Sequence, residues 1–221
     1  MRQTVIDLPR RRALGRDDFM VSASNRVAMA LLDRWPNWPD ARLALVGPEG
    51  SGKSHMAAIW AAEAGARIVA AEALRADMAG PLAEAPLVLE DADRGVDETA
   101  FFHLLNACAG AGRGLLLTGR TVPSDWPVAL PDLASRLAAV TPAFLEDPDD
   151  ALLSVVLLKL FADRQLRVKP ALIGWLLPRM ERSHRAAARL VARLDEAALA
   201  QGVDVNVTLA RQVMGGAGED G

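Results

Sequence analysis

One cysteine, Cys108, and three histidines are all the thiol or imidazole ligands in this 221-residue chain. A lone thiol excludes an intramolecular disulfide framework and suits a reducing compartment. His55, His103 and His184 are too scattered to propose a metal site. Cys108 has no marked basic neighbour in sequence and reads as a core thiol. The first residues lack the apolar stretch of a secretory signal. The longest largely apolar run, 151–158, stops at Lys159, far short of a bilayer span. There are no internal repeats. A strong net charge is missing too: the formal value of −3 argues against bulk nucleic-acid binding. These absences leave a cytoplasmic globular protein of one domain, or one domain and a small satellite, with no membrane partner.

What is there is organised around residues 43–64, which read as a buried strand, a glycine-rich turn and a helix. The turn is Gly47, Pro48, Glu49, Gly50, Ser51, Gly52, Lys53, Ser54, followed by His55, and it fits G-x-x-x-x-G-K-[ST] at every fixed position. Gly50 and Gly52 let the backbone turn tightly, so that successive N–H groups face phosphate oxygens. Lys53 is spaced to reach β- and γ-phosphates, and the Ser54 hydroxyl to ligate Mg²⁺. The helix that starts here turns its positive end to the anion. The strand-before, helix-after context outweighs an ordinary glycine turn, so a nucleoside phosphate is the expected ligand.

Around that unit, strands are expected at 67–71, 86–90, 114–118 and 138–144, with helices at 24–34, 72–78, 97–109 and 133–137. Alternation of this kind makes an α/β parallel sheet. Beyond Pro148 the pattern changes to helices alone, at 149–165, 170–182, 184–200 and 207–214. Pro170 suits a first helical position, Ser183 an N-cap and Gly202 a stop. The expected organisation is therefore an arm over 1–18, a nucleotide-binding domain over 19–146, a helical lid over 147–214 and a disordered tail over 215–221. Charge divides the same way: residues 1–150 carry 15 Lys/Arg against 21 Asp/Glu, and residues 151–221 carry 10 against 7. The basic excess of the second part faces either solvent or a phosphate.

Leu87-Val88-Leu89-Glu90-Asp91 has the form of an acid-ended strand beside the loop, able to hold a Mg²⁺ shell through Glu90 and Asp91 or to orient water. Asp93 follows. Glu90 stands where Asp is usual, and its extra methylene speaks for binding over efficient hydrolysis. Thr118 ends the next strand, where a hydroxyl can meet a γ-phosphate. Arg136, in Leu133-Ala134-Ser135-Arg136-Leu137, is placed near a rim of the domain. Arg185 opens a helix whose Arg189 and Arg193 follow on one face. By spacing alone a surface role is the better reading of Arg136, and a solvated basic face is the alternative for Arg185, Arg189 and Arg193.

In their order, these boxes resemble an AAA+ module, and in detail the DnaA-related branch. Ser24-Asn25-Arg26, Glu90-Asp91, the Ser135-Arg136 box and Arg185 match that branch in position. The resemblance covers about residues 19–214. It implies a five-stranded parallel sheet flanked by helices with a small helical lid, Arg136 as an arginine finger acting in trans, and Arg185 as the lid arginine. The chain has no room for the helix-turn-helix domain with which initiators read DNA, so direct sequence-specific DNA binding is not expected. It looks like the short Hda-type group, whose members switch the initiator off. Gln3, Ile6 and Leu8 are similar to that group's sliding-clamp peptide, although Thr4 and Asp7-Leu8-Pro9 depart from it. The resemblance then implies DnaA and the clamp as partners, leaves a homo-oligomer open, and makes the chain's own ATPase weak. The rival expectation is an autonomous ATPase of the DnaC or IstB helicase-loader type.

Overall fold

The computed structural model describes Arg16 and residues 19–215. The clamp-type peptide with Gln3, Ile6 and Leu8 lies outside the described residues, as do the rest of the arm and residues 216–221 of the tail.

The sheet domain contains α1 (Arg26–Leu32), β1 (Arg42–Val46), α2 (Lys53–Ala64), β2 (Arg67–Ala70), α3 (Ala79–Leu82), β3 (Leu87–Glu90), α4 (Glu98–Gly110), β4 (Leu115–Gly119), α5 (Pro131–Ala138) and β5 (Thr141–Phe144). The strands run parallel in the order β2-β3-β4-β1-β5. Alternate side chains of a strand face opposite sides, so the central strands bury both faces and read as unbroken apolar runs. Leu43 and Leu45 join Val88, Leu116 and Ala143 against α1 and α2. Ala44 and Val46 join Leu87, Leu89, Leu115 and Leu117 against α4 and α5.

Four helices follow: α6 (Asp150–Asp163), α7 (Pro170–Leu176), α8 (His184–Gln201) and α9 (Val207–Gly215). Their core is separate, with Leu157, Phe161, Leu172, Leu176, Val191, Leu194 and Leu209 at its centre. The caps sit where the side-chain chemistry puts them. Asp97 accepts from the Ala100 N–H, Asp149 from Leu152 and Ser183 from Ala186, while Gly202 ends α8 at φ 64°. No helix among the described residues is long and apolar enough to cross a membrane.

Three expected helices are cut down. The segment 72–78 holds only 3₁₀ turns, Ala71–Ala73 and Ala76–Met78, before α3. Leu74, fully buried, takes an extended backbone between them to reach the core, and seven residues are too few to resist that pull. The helix over 170–182 stops at Leu176 and tightens into the 3₁₀ turn Leu177–Arg179, because Pro178 has no N–H and its ring clashes with the preceding turn. The first helix starts at Arg26 rather than 24. Its predecessor Asn25 instead accepts from the Ser22 N–H and donates to the Met20 carbonyl.

Cys108 is 1% exposed in α4, and burial pushes its thiol up to about 11. A raised folded-state value means that stability is full below the unfolded thiol's value near 9 and is lost as pH rises through 11. The expected loss is at most about 2–3 kcal/mol over that window. Urea unfolding of wild type and Cys108→Ala should diverge above pH 9; parallel curves would refute it.

Candidate functional site

Leaving β1 at Val46, the chain closes against its neighbours at once. The Gly47 N–H donates to the Gly119 carbonyl at 3.2 Å, and a Cβ on Gly47 would lie 2.3 Å from the Leu145 carbonyl oxygen. Only glycine fits there. Gly50 at φ 82° and Gly52 at φ 105° take the left-handed conformations that the turn requires. The loop then feeds directly into α2 at Lys53.

Lys53 is 8% exposed, and its Nζ donates to the Gly47 and Pro48 carbonyls, each at 2.7 Å. Burial lowers its proton affinity. The carboxylates of Asp91, Asp93 and, more weakly, Glu49 pull it back up, while Arg120 lowers it further. Ser51 is 3% exposed, and its Oγ has no hydrogen-bond partner among the described residues. Ser54 is exposed on the first turn of α2, and His55 meets Phe19 edge-on at 5.1 Å.

Glu90 ends β3 half-buried, and Asp91 turns the chain at φ 54°. That turn is pinned by Thr118, whose Oγ1 accepts from the Asp91 N–H at 2.9 Å and whose carbonyl accepts from Ala92 at 2.8 Å. Thr118 is 1% exposed and stands one residue before the end of β4, its hydroxyl bonded to the acidic turn. The Asp91 carboxylate pairs with Arg94 at 2.9 Å. Asp93 accepts from the Arg120 N–H at 2.8 Å through Oδ2, while its buried Oδ1 has no partner among the described residues.

The lid reaches this loop through the start of α8. The His184 N–H donates to the Gly50 carbonyl at 3.2 Å, and its Nδ1 lies 2.9 Å from the same oxygen. A Cβ on Gly50 would sit 2.4 Å from that of Ser183. Arg185 is bound to one oxygen of the Glu49 carboxylate, and Arg120 to the other at 2.6 Å. Glu49 thus holds two guanidinium groups over the loop. Further along α8, Arg189 lies 3.6 Å from Glu181, and Arg193 donates to the Val213 carbonyl at 2.5 Å. Those two basic residues serve the lid itself.

The structure therefore gathers Pro48 to His55, Asp91 and Arg185 around one loop, with Glu90 at the adjoining strand end. Arg136 is elsewhere. It lies in the last turn of α5, its guanidinium 5.3 Å above the Phe102 ring, and shares a cavity with Arg42. Arg42 opens β1 and Val46 closes it, so a strand length of about 13 Å separates this cavity from the loop. Sequence reasoning passed over Arg120 and gave Asp93 no role. The available signal was their position just past the C-terminal ends of parallel strands, where such sheets place ligands.

Glu49 and an incoming phosphate compete for the same two arginines. Each exposed pair is worth about 0.2–1 kcal/mol, so Glu49→Gln should tighten nucleotide binding about fivefold by titration calorimetry. Weaker binding would mean that the carboxylate orients the arginines productively.

No protein-family model matches the chain, and no curated protein sequence matches it significantly. Solved structures do match. Domain III of the Thermotoga maritima replication initiation protein DnaA aligns with a TM-score of 0.76 at 16% identity, covering 92% of this chain and 96% of that one. DnaA from Aquifex aeolicus, bound to AMPPCP, aligns at 0.64 and 18% identity, covering 80% of this chain and 63% of that one. The RuvB Holliday junction branch migration motor of Thermotoga maritima aligns at 0.66 and 18% identity, covering 86% and 65%. With its parallel five-stranded sheet, phosphate loop and helical C-terminal region, the chain has the AAA+ P-loop fold of DnaA and RuvB.

Proposed function

We propose that this chain is a nucleotide-binding regulator of chromosome replication initiation. Together with the DNA-loaded sliding clamp, it stimulates ATP hydrolysis by the DnaA initiator and so inactivates it. The observation that carries this reading is the separation of Arg136 from the chain's own phosphate loop by the length of β1. An arginine so placed is of use to a nucleotide held by another molecule, where it stabilises charge on the transferring phosphoryl group.

The chain's own ADP or ATP serves as a structural ligand. Backbone N–H groups of residues 49–54 receive the phosphates, Lys53 exchanges its carbonyl partners for phosphate oxygens, and Arg185 leaves Glu49 for the same charge. Ser54, Glu90 and Asp91 are the residues that would hold a Mg²⁺ brought in by the phosphates; among the described residues no group of three or more His, Cys, Asp or Glu could hold one by itself. When bound, Mg²⁺ offsets phosphate charge. Gln3, Ile6 and Leu8 anchor the protein on the clamp.

The test is ADP formation by ATP-loaded DnaA with DNA-loaded clamp, with and without this protein. Stimulation that needs both protein and clamp is expected, and deleting residues 1–8 should abolish co-elution with the clamp. Absence of stimulation, together with multiple-turnover ATPase driven by single-stranded DNA alone, would replace this reading with the helicase-loader one.

A further inference from the structure

The turn that opens the phosphate loop is loosely closed. It runs from Pro48 to Ser51, with the Ser51 N–H donating to the Pro48 carbonyl at a long 3.3 Å. Gly50 stands third in it at φ 82°, where a type II turn needs the left-handed region. Gly50 and Gly52 carry no side chain that resists rotation of the peptides between them. A peptide rotated there turns a carbonyl to the phosphates in place of an N–H, and the oxygen repels the anion that the N–H attracts.

The restraint comes from the lid. The Gly50 carbonyl accepts twice, from the His184 N–H at 3.2 Å and from His184 Nδ1 at 2.9 Å. A carbonyl has no proton to give, so Nδ1 carries it, and the neutral ring is the Nδ1–H tautomer. The ring also lies against Gly52, where a Cβ would sit 3.6 Å from its Cε1. In a planar trans peptide the C=O and the following N–H point opposite ways. Fixing the Gly50 oxygen on the lid therefore turns the Ser51 N–H away from it.

His184 is itself firmly placed. It is the first residue of α8, an 18-residue helix anchored by the fully buried Val191 and Leu194. Its N–H is one of those that a helix start leaves unpaired, so the loop carbonyl caps the lid helix while the helix holds the loop. Ser183 sets the helix start, accepting from the Ala186 N–H at 3.0 Å and donating to the Glu181 carboxylate at 2.8 Å. Arg182 braces the same segment against the junction before α6, with Nε on the Pro148 carbonyl at 3.2 Å and Nη2 on Asp150 at 2.8 Å.

We propose that His184 is a positioning residue for phosphate binding: from the lid it sets the Gly50–Ser51 peptide, so that the loop keeps its anion-binding shape only while the lid is seated. It acts through the peptide and not on the ligand itself. The proposal rests on the reading above that this loop binds a nucleotide.

Full-length wild type, His184→Leu and His184→Asn are titrated with ADP by calorimetry, and residues 47–54 are followed by hydrogen–deuterium exchange before ADP is added. Leucine keeps the bulk and loses the donor; asparagine offers an amide N–H close to the position of Nδ1. Loss of one such hydrogen bond predicts about fivefold weaker ADP binding in His184→Leu and recovery to within about twofold in His184→Asn. Exchange over 47–54 should quicken in the leucine variant and not in the asparagine one. If His184→Leu lowers the melting temperature markedly, His184→Gln takes its place, because its longer amide carries the donor past the Nδ1 position and should show the same loss. Wild-type affinity in His184→Leu, or equal weakening in both variants, overturns the proposal. Weaker binding with unchanged exchange assigns His184 to the ligand instead and overturns it too. If wild type binds no ADP, the nucleotide reading fails and exchange decides whether His184 holds the loop: quickening in the leucine variant alone supports it, and no change overturns it.

Discussion

Arg136→Ala is expected to cut the stimulated rate of DnaA ATP hydrolysis by about a thousandfold while leaving the protein's own nucleotide affinity unchanged. Arginines delivered in trans to a transferring phosphoryl group are worth about 10³–10⁵ in rate, and the lower figure suits a side chain that must first leave its resting contact. That contact is the Phe102 face at 5.3 Å, worth about 0.5–1 kcal/mol where partly exposed. Folding stability should therefore fall by no more than that. Because the residue is a strand length from the chain's own loop, binding of ADP by the variant should match wild type. Arg136→Lys keeps a charge but loses the planar fork, and should recover only a small part of the rate. Wild-type stimulation by Arg136→Ala would end the role given to this residue.

Lys53→Ala is expected to weaken nucleotide binding by about a hundredfold without unfolding the protein. Hydrogen bonds to a charged group contribute about 1.5–3 kcal/mol each, so losing the ammonium's grip on β- and γ-phosphates removes about 3 kcal/mol, or two powers of ten. Stability moves the other way or not at all. The ammonium is 8% exposed and satisfied by only two loop carbonyls, an arrangement that costs desolvation in the absence of phosphate. Titration with a fluorescent ADP analogue and a thermal melt on the same sample give both readings. Undiminished affinity with an intact fold would take the phosphate loop out of the account.

The sheet could be read from the chain because β1, β3 and β4 are covered on both faces, which leaves apolar runs that periodicity detects. The turn between β1 and α2 was equally legible, since Gly47, Gly50 and Gly52 mark where the chain must bend and Lys53 is where the helix starts. The clamp of Glu49 on Arg120 and Arg185 was not. It joins residues 71 and 136 positions apart, and nothing local at Arg120 marks it. The reading ended the strand at Thr118, one residue before its actual end at Gly119, and sequence could not show that the turn after β3 takes up the Thr118 hydroxyl. Leu74 and Pro178 mark the same limit for helices: one is drawn into a core formed by distant residues, and the other stops a helix that an apolar pattern alone would extend.

The five residues of β1 carry a consequence for assembly. A receiving end and a donating end at opposite ends of one short buried strand give the molecule a direction, so a contact that joins them once is head-to-tail, and one that joins them twice sets the two strands antiparallel across a two-fold axis. On the function proposed above, a chain that docks by its Arg136 end on a row of such modules covers one terminus and shows its loop to whatever comes next. Its stoichiometry is then set by the number of row ends, not by the number of modules in the row.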